Sequence, residues 1–227
     1  ILSYYNFMKN DFIFAKKNLL LDGVLTKKLL REFDQIYHEN TSKNIHANFL
    51  DLRKDDIMKI PLFLSLLNKI QKKFESITGH NDLSFEKLWL VSSSSNDTNK
   101  TILPYIPHID KRRYLKAMVY LHDVNLEHGP IHLGRVKSTT DIEQKRKKLP
   151  SDYKEKGLNT IADKDLDGSL TPMTGKAGDV IFFDTNTPHK AGVIKDNYYR
   201  KVLRFDFERP RFNAKPSIFN RIMKKFF

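Results

Sequence analysis

Cysteine is absent from the 227 residues. That excludes disulfides and thiolate metal ligands, and it is compatible with a reducing cytoplasm, the expected location. Long apolar runs are missing as well, and none approaches the roughly 18 residues needed to span a bilayer. The opening, ILSYYNFMKNDFIFAKKNLL, lacks the charged-then-apolar-then-small order of a signal peptide and has no initiator Met. A processed chain, or a piece cut from a longer one, is therefore expected. No internal repeat is visible.

What is present points to a folded domain. Hydrophobic residues make up 40% and aromatic residues 11%, with sixteen Phe, enough for a packed core and too many for wholesale disorder. The length fits one domain over 1–227. We expect a helical N-terminal part over about 1–83, a strand-rich part over about 84–210, and a charged insertion within it over about 135–170. The net charge of +13 has two readings. One is a polyanionic partner such as nucleic acid, a membrane surface, or a phosphorylated or CoA-like substrate. The other is a lysine-rich composition that serves solubility, favoured because the lysines are spread along the chain rather than gathered in one stripe.

Periodicity divides the chain. DFIFAKKNLL reads as a short strand and Asp22-Gly23 as a turn. A helix follows, with Thr26 as N-cap and Leu25, Leu29, Leu30, Phe33 and Ile36 at helical spacing. A second helix begins at Pro61, carries Leu62, Leu66, Leu67, Ile70 and Phe74 on one stripe, and ends near Gly79. Beyond about residue 84 the runs FEKLWLVSSSS, YLKAMVYLHDV, GPIHLG, GDVIFFDT and YYRKVLRFDF are short, β-branched or aromatic, and punctuated by turn residues, as strands are. The class is mainly β with flanking α-helices, in a sandwich or barrel with the helices outside. The intervening RVKSTTDIEQKRKKLPSDYKEKGLNTIADKDLDG is charged and poor in apolar residues. It reads either as a solvated surface insertion or as a lid over a site.

His108 and Asp110, in YIPHID, flank one apolar residue, which on a strand puts both side chains on one face. An His-x-Asp pair alone is weak, and a third ligand is needed. His38 and His46 belong to the first helix and its exit, His80 to a turn, and His122, His128 and His132 to the surroundings of HDVNLEHGP. His189 differs, because it follows the strand and turn GDVIFFDTNTP and precedes a strand carrying Arg200. Two neutral imidazoles and one carboxylate make a facial triad suited to non-haem Fe(II), with three positions left open for a bidentate 2-oxo acid and dioxygen. The second carboxylate of such a co-substrate needs a fixed cation, and the guanidinium of Arg200 matches it bidentately.

HID, GDVIFFDTNTPH and YYRKVLRFDF together resemble the Fe(II)/2-oxoglutarate-dependent dioxygenases, in particular the phytanoyl-CoA dioxygenase-like family. His108, Asp110, His189 and Arg200 fall on that family's His-x-Asp, distal His and Arg positions. NDFIFAKKNLLLDGVLTKKLLREFD and HDVNLEHGPIHL are similar to its opening and to the stretch after its His-x-Asp strand, so the resemblance covers most of residues 10–210. One departure is that LGRVKST and the charged insertion stand where the family often has a Pro-Gly-Ser-His turn. The resemblance implies a double-stranded β-helix (jelly-roll, cupin-like). It also implies Fe(II) on His108, Asp110 and His189, with 2-oxoglutarate held by Arg200 and O2 consumed to give succinate, CO2 and a hydroxylated product. Asp110 argues against a halogenase, where a small residue replaces the carboxylate.

The expected substrate is a small molecule, acidic or carrier- or CoA-linked, met by Arg113, Tyr120 and Arg204. Arg200 and Arg204 share a strand face, as do Met118 and Tyr120, whose other reading is core packing. Lys111 and Arg112 are read as surface residues or as part of the same clamp. Two rivals stand beside this reading. A nucleic-acid demethylase of the same chemistry is motivated by the charge, but that class has two arginines six apart on its last strand, whereas Arg200 and Arg204 are four apart. A non-catalytic jelly-roll binding protein is opposed by the intact triad plus Arg.

Overall fold

The computed structural model describes residues 14–18, 23–40, 49–97, 103–135, 139–148 and 170–209. Most of the expected charged insertion, residues 136–138 and 149–169, lies outside the described residues, as do Asp22 and His46.

A six-stranded antiparallel sheet forms the larger layer. Its strands are β1 (Phe14–Asn18), β2 (Phe49–Leu52), β3 (Ser84–Ser94), β4 (Leu115–Tyr120), β7 (Asp179–Asp184) and β9 (Tyr199–Glu208), in the order β1-β7-β4-β9-β3-β2. A smaller sheet is made by β5 (His132–Leu133), β6 (Thr171–Pro172) and β8 (His189–Lys190), in the order β6-β5-β8. Among the described residues the α-helices are α1 (Gly23–Glu39), α2 (Lys54–Met58), α3 (Pro61–Thr78) and α4 (Thr139–Lys148). The architecture is the double-stranded β-helix, mainly β with flanking helices. β1 and β2 come from the N-terminal part of the chain yet belong to the large sheet.

Alternation along the strands sorts the residues into two cores. Leu88, Leu90, Leu115, Ala117, Val119, Val180, Phe182, Leu203, Phe205 and Phe207 face α1 and α3, which answer with Leu29, Phe33, Phe63, Leu66, Ile70 and Phe74. Phe74 meets Phe182 and Phe207 edge-on, with ring centroids 4.9 and 5.7 Å apart, the geometry that aromatic quadrupoles prefer. Val91, Met118, Tyr120, Ile181, Phe183 and Val202 point the other way and pack with Val124, Ile131, Leu133 and Met173 from the loops and the small sheet. Tyr120 belongs to this second face and, by alternation with Val202, so do Arg200 and Arg204.

α3 has Pro at its first position and ends on Gly79, whose φ of 69° supplies the left-handed cap. α1 begins at Gly23, three residues before the expected N-cap. Thr26 is a buried residue inside the helix, at 4% exposure. The apolar stripe starting at Leu25 fixed the face that packs inward but left the first turn undetermined.

Candidate metal centre

His108 and His189 sit side by side because their backbones pair. Each N–H donates to the other's carbonyl, at 3.0 and 2.9 Å. His189 lies on β8, paired with Leu133 of β5, so this contact extends the small sheet by one residue. Ile109 is fully buried, and alternation turns His108 and Asp110 to the opposite side. One donor atom from each of His108, Asp110 and His189 lies within 4.8 Å of the others. The His108 and His189 Nε2 atoms stand 3.9 and 3.7 Å from Asp110 Oδ1.

The two rings are held alike. His108 Nδ1 is 2.8 Å from the Ile106 carbonyl, and His189 Nδ1 is 2.9 Å from the Thr187 carbonyl, in each case two residues back. A carbonyl only accepts, so Nδ1 of a neutral ring carries the proton and Nε2 presents its lone pair toward Asp110. Burial, followed by the neighbouring His189, pulls the His108 pKa down to about 3, which keeps that ring neutral. Burial alone would raise Asp110. The Lys116 ammonium and the two imidazoles outweigh it and hold the carboxyl well below its usual range. Lys116 donates to Asp110 Oδ2, leaving Oδ1 toward the imidazoles. Two imidazole nitrogens and one carboxylate oxygen on one side of a small space fit a divalent transition metal.

The loop between β7 and β8 presents His189 and is stapled at several points. Asp184 accepts from Asn186 N at 2.9 Å, and Thr185 pairs with Tyr114 through its backbone N–H and its hydroxyl. Gly129, at φ 61°, lets the chain before β5 lie against Gly192, just after β8. A Cβ at Gly129 would meet the Gly192 carbonyl oxygen at 2.5 Å.

Arg200, near the start of β9, is 5% exposed, and its Nε and Nη1 have no hydrogen-bond partner. Burial lowers its pKa, while the nearby Tyr120 and Tyr105 raise it. A buried guanidinium with two unmatched donor atoms fits a carboxylate that the described residues do not supply.

The other expected site residues are already engaged. Arg113 grips Asp184 through Nε (3.1 Å) and Nη2 (2.7 Å). Arg204 grips Asp206 through Nε and Nη2, both at 3.0 Å, and lies over the Trp89 ring. Tyr120 is fully buried and donates its hydroxyl to the Met173 carbonyl at 2.8 Å, so its environment is that of a satisfied core residue. Met118 packs in the same core. Arg112 forms an ion pair with Glu208 at 2.5 Å.

Two residues were missed from the sequence, Lys116 and Arg146. Lys116 shares the face of Met118 and Tyr120, so strand alternation could have revealed it. Arg146 lies in the charged insertion, where its signal is a single buried apolar partner one turn away, Ile142.

Comparison with known proteins agrees with the geometry. The family model for phytanoyl-CoA dioxygenase (PhyH) matches residues 27–202. Among solved structures, the non-haem α-ketoglutarate-dependent carbocyclase SnoK from nogalamycin biosynthesis is 14% identical with a TM-score of 0.62, covering 94% of this chain and 86% of that one. The α-ketoglutarate-dependent epimerase SnoN from the same biosynthesis is 15% identical with a TM-score of 0.59, covering 91% and 86%. EvdO2 from Micromonospora carbonacea var. aurantiaca, complexed with 2-oxoglutarate, is 14% identical with a TM-score of 0.55, covering 91% of each chain. At such identities the likeness is one of fold. No curated protein matches the sequence.

Proposed function

The chain belongs to the phytanoyl-CoA dioxygenase family, Fe(II)- and 2-oxoglutarate-dependent dioxygenases, and from that premise we propose that it hydroxylates a C–H bond of a small anionic substrate. In this reading His108, Asp110 and His189 hold Fe(II), and Arg200 holds the distal carboxylate of 2-oxoglutarate. The enzyme is a dioxygenase whose cofactors are Fe(II), 2-oxoglutarate and O2. The balance is substrate C–H, 2-oxoglutarate and O2 in, and substrate C–OH, succinate and CO2 out. Two observations carry the proposal: a His-Asp-His cluster, and a buried arginine with two unmatched donor atoms.

Bound at the triad, Fe(II) would supply the electrons that couple O2 reduction to oxidation of the 2-oxo acid and then of the C–H bond. The protein's share is placement. The Ile106 and Thr187 carbonyls fix both imidazoles with Nε2 free. Lys116 engages one oxygen of Asp110, which favours ligation through the other. Arg200, already desolvated, gives a strong charge-assisted pair with an arriving carboxylate. Met118, Ile181, Phe183 and Val202 pack this face with apolar side chains, which would keep bulk water from the chemistry.

An anionic substrate is supported by the net charge of +13 and by Lys87 beside Trp89, where Arg204 is already matched by Asp206. Lys87 Nζ lies 4.3 Å from that ring's centroid, and Arg204 lies 4.9 Å from it. Arg204, with Arg113 and Tyr120, would reach the substrate only by exchanging its present bonds. Among the described residues no helix is long and apolar enough to cross a membrane; a cytoplasmic location and a single domain over 1–227 belong to the same proposal. The test is oxygen-dependent release of CO2 from 2-oxoglutarate across a panel of phosphorylated, carboxylated and CoA- or carrier-linked candidates, with mass analysis of the product. Hydroxylation adds one oxygen, desaturation or ring closure removes two hydrogens, and epimerisation leaves the mass unchanged. Any of the last two outcomes would replace the proposed reaction.

A further inference from the structure

α4 is an unusual helix to find docked against a protein interior. Its sequence, TTDIEQKRKK, is mostly charged, and Ile142 and Arg146 are buried at 1% and 6% exposure. They are four residues apart and so lie on one face. Burial of one Ile is a small driving force for holding a ten-residue helix, so the guanidinium must account for much of the docking.

Its donors go to two separate segments. Arg146 Nε donates to the carbonyl of Asp110 itself at 2.9 Å. Nη2 donates to the Thr185 carbonyl at 2.8 Å, and Nη1 reaches Asn186 Oδ1. Nη1 also meets Glu143 Oε1 at 2.6 Å, and Glu143 in turn lies 3.6 Å from Arg113, the residue that grips Asp184. One planar fork thus spans the segment that carries His108 and Asp110 and the loop that delivers His189. Lysine has no such fork. Burying a guanidinium is costly unless its donors are matched, and here backbone carbonyls of the two metal-site segments match it.

We propose that Arg146 is a positioning residue of the metal centre, a brace from the insertion helix that sets the spacing between the two ligand-bearing segments. α4 is then part of the metal site's frame. The proposal rests on the reading of His108, Asp110 and His189 as ligands.

Anaerobic titration of the metal-free full chain with Co(II), followed through its visible absorption, tests this in wild type, Arg146→Met, Arg146→Lys and Asp110→Ala. Far-UV circular dichroism and melting of each metal-free protein run alongside. Arg146→Met should keep a Co(II) spectrum, because all three ligands remain, with affinity lower by about 10–100-fold. Arg146→Lys should fall between it and wild type, and Asp110→Ala should lose the wild-type spectrum. Arg146→Met binding within twofold of wild type overturns the brace while leaving the ligand assignment standing. If Arg146→Met does not fold, Arg146→Lys decides by the same twofold criterion. A folded wild type without a Co(II) spectrum, or an Asp110→Ala protein indistinguishable from wild type, overturns the ligand assignment and the brace together.

Discussion

The two faces of the six-stranded sheet are built from alternate residues of the same strands, and they differ in kind. On β4, Leu115, Ala117 and Val119 meet the helices, while Lys116, Met118 and Tyr120 point inward. On β9, Leu203, Phe205 and Phe207 pack outward, and Arg200, Arg204 and Asp206 occupy the other face with Val202. The outer face is apolar and closes on α1 and α3 by shape. The inner face buries charges, each of which needs a partner. Among them Arg200 keeps two donor atoms unmatched. One sheet therefore separates stability from chemistry residue by residue, and a substitution should affect one or the other according to its parity.

The largest effect should come from the inner side. Asp110→Ala or His189→Ala should reduce iron-dependent turnover to background while leaving the far-UV circular dichroism unchanged; full activity in Asp110→Ala would break the ligand assignment. On the outer side, Phe74→Ala opens a cavity against Phe182 and Phe207 and should cost about 3–5 kcal/mol in denaturant unfolding. The KM for 2-oxoglutarate should stay unchanged in the protein that remains folded. A large change in KM would show that the faces are coupled. Arg200→Ala removes one partner of a buried charge pair, an effect of about 2 kcal/mol or more, or roughly 30-fold or more in 2-oxoglutarate affinity. Its Fe(II) affinity should change far less.

Acid sharpens the comparison with the smallest effect. His108 has a folded-state pKa of about 3 against an ordinary 6.5. Burial also lowers His122 and His132. A depressed histidine is neutral in the fold and takes up a proton on unfolding. Its contribution is therefore fully present above about pH 6.5 and is lost progressively as the pH falls toward 3. The metal-free protein should lose stability from pH 7.5 to 5, and the deficit caused by Phe74→Ala should stay constant across that range. A flat profile for the wild type would contradict the burial of a neutral His108.

The parts of the molecule that repeat a period were legible in the sequence. α3 follows from its stripe, its Pro and its Gly, and β3, β4, β7 and β9 follow from β-branched and aromatic runs long enough to alternate. The triad was legible because its three residue types lie at positions where strand alternation and a turn bring them together. β6 and β8 have two residues each and β2 four, too short for any period to register. They exist because neighbouring strands offer them unpaired backbone groups. α4 was hidden for a different reason. Its residues form the pattern of a solvated helix, and its docking depends on one guanidinium finding carbonyls some 36 to 40 residues away in sequence. Arg113 and Arg204 show the converse. Their cationic character pointed to a substrate, and the fold had already matched each with Asp184 or Asp206.

The central claim is that the His-Asp-His cluster and Arg200 form one Fe(II)·2-oxoglutarate site. Anaerobic addition of Fe(II) and then 2-oxoglutarate to the metal-free protein tests it through the visible metal-to-ligand charge-transfer band, with Asp110→Ala and Arg200→Ala measured in parallel. The account predicts a band in the wild type, its loss in Asp110→Ala, and its appearance in Arg200→Ala only at much higher 2-oxoglutarate. A folded wild-type protein that gives no band, or an Asp110→Ala protein that gives the full band, would contradict it.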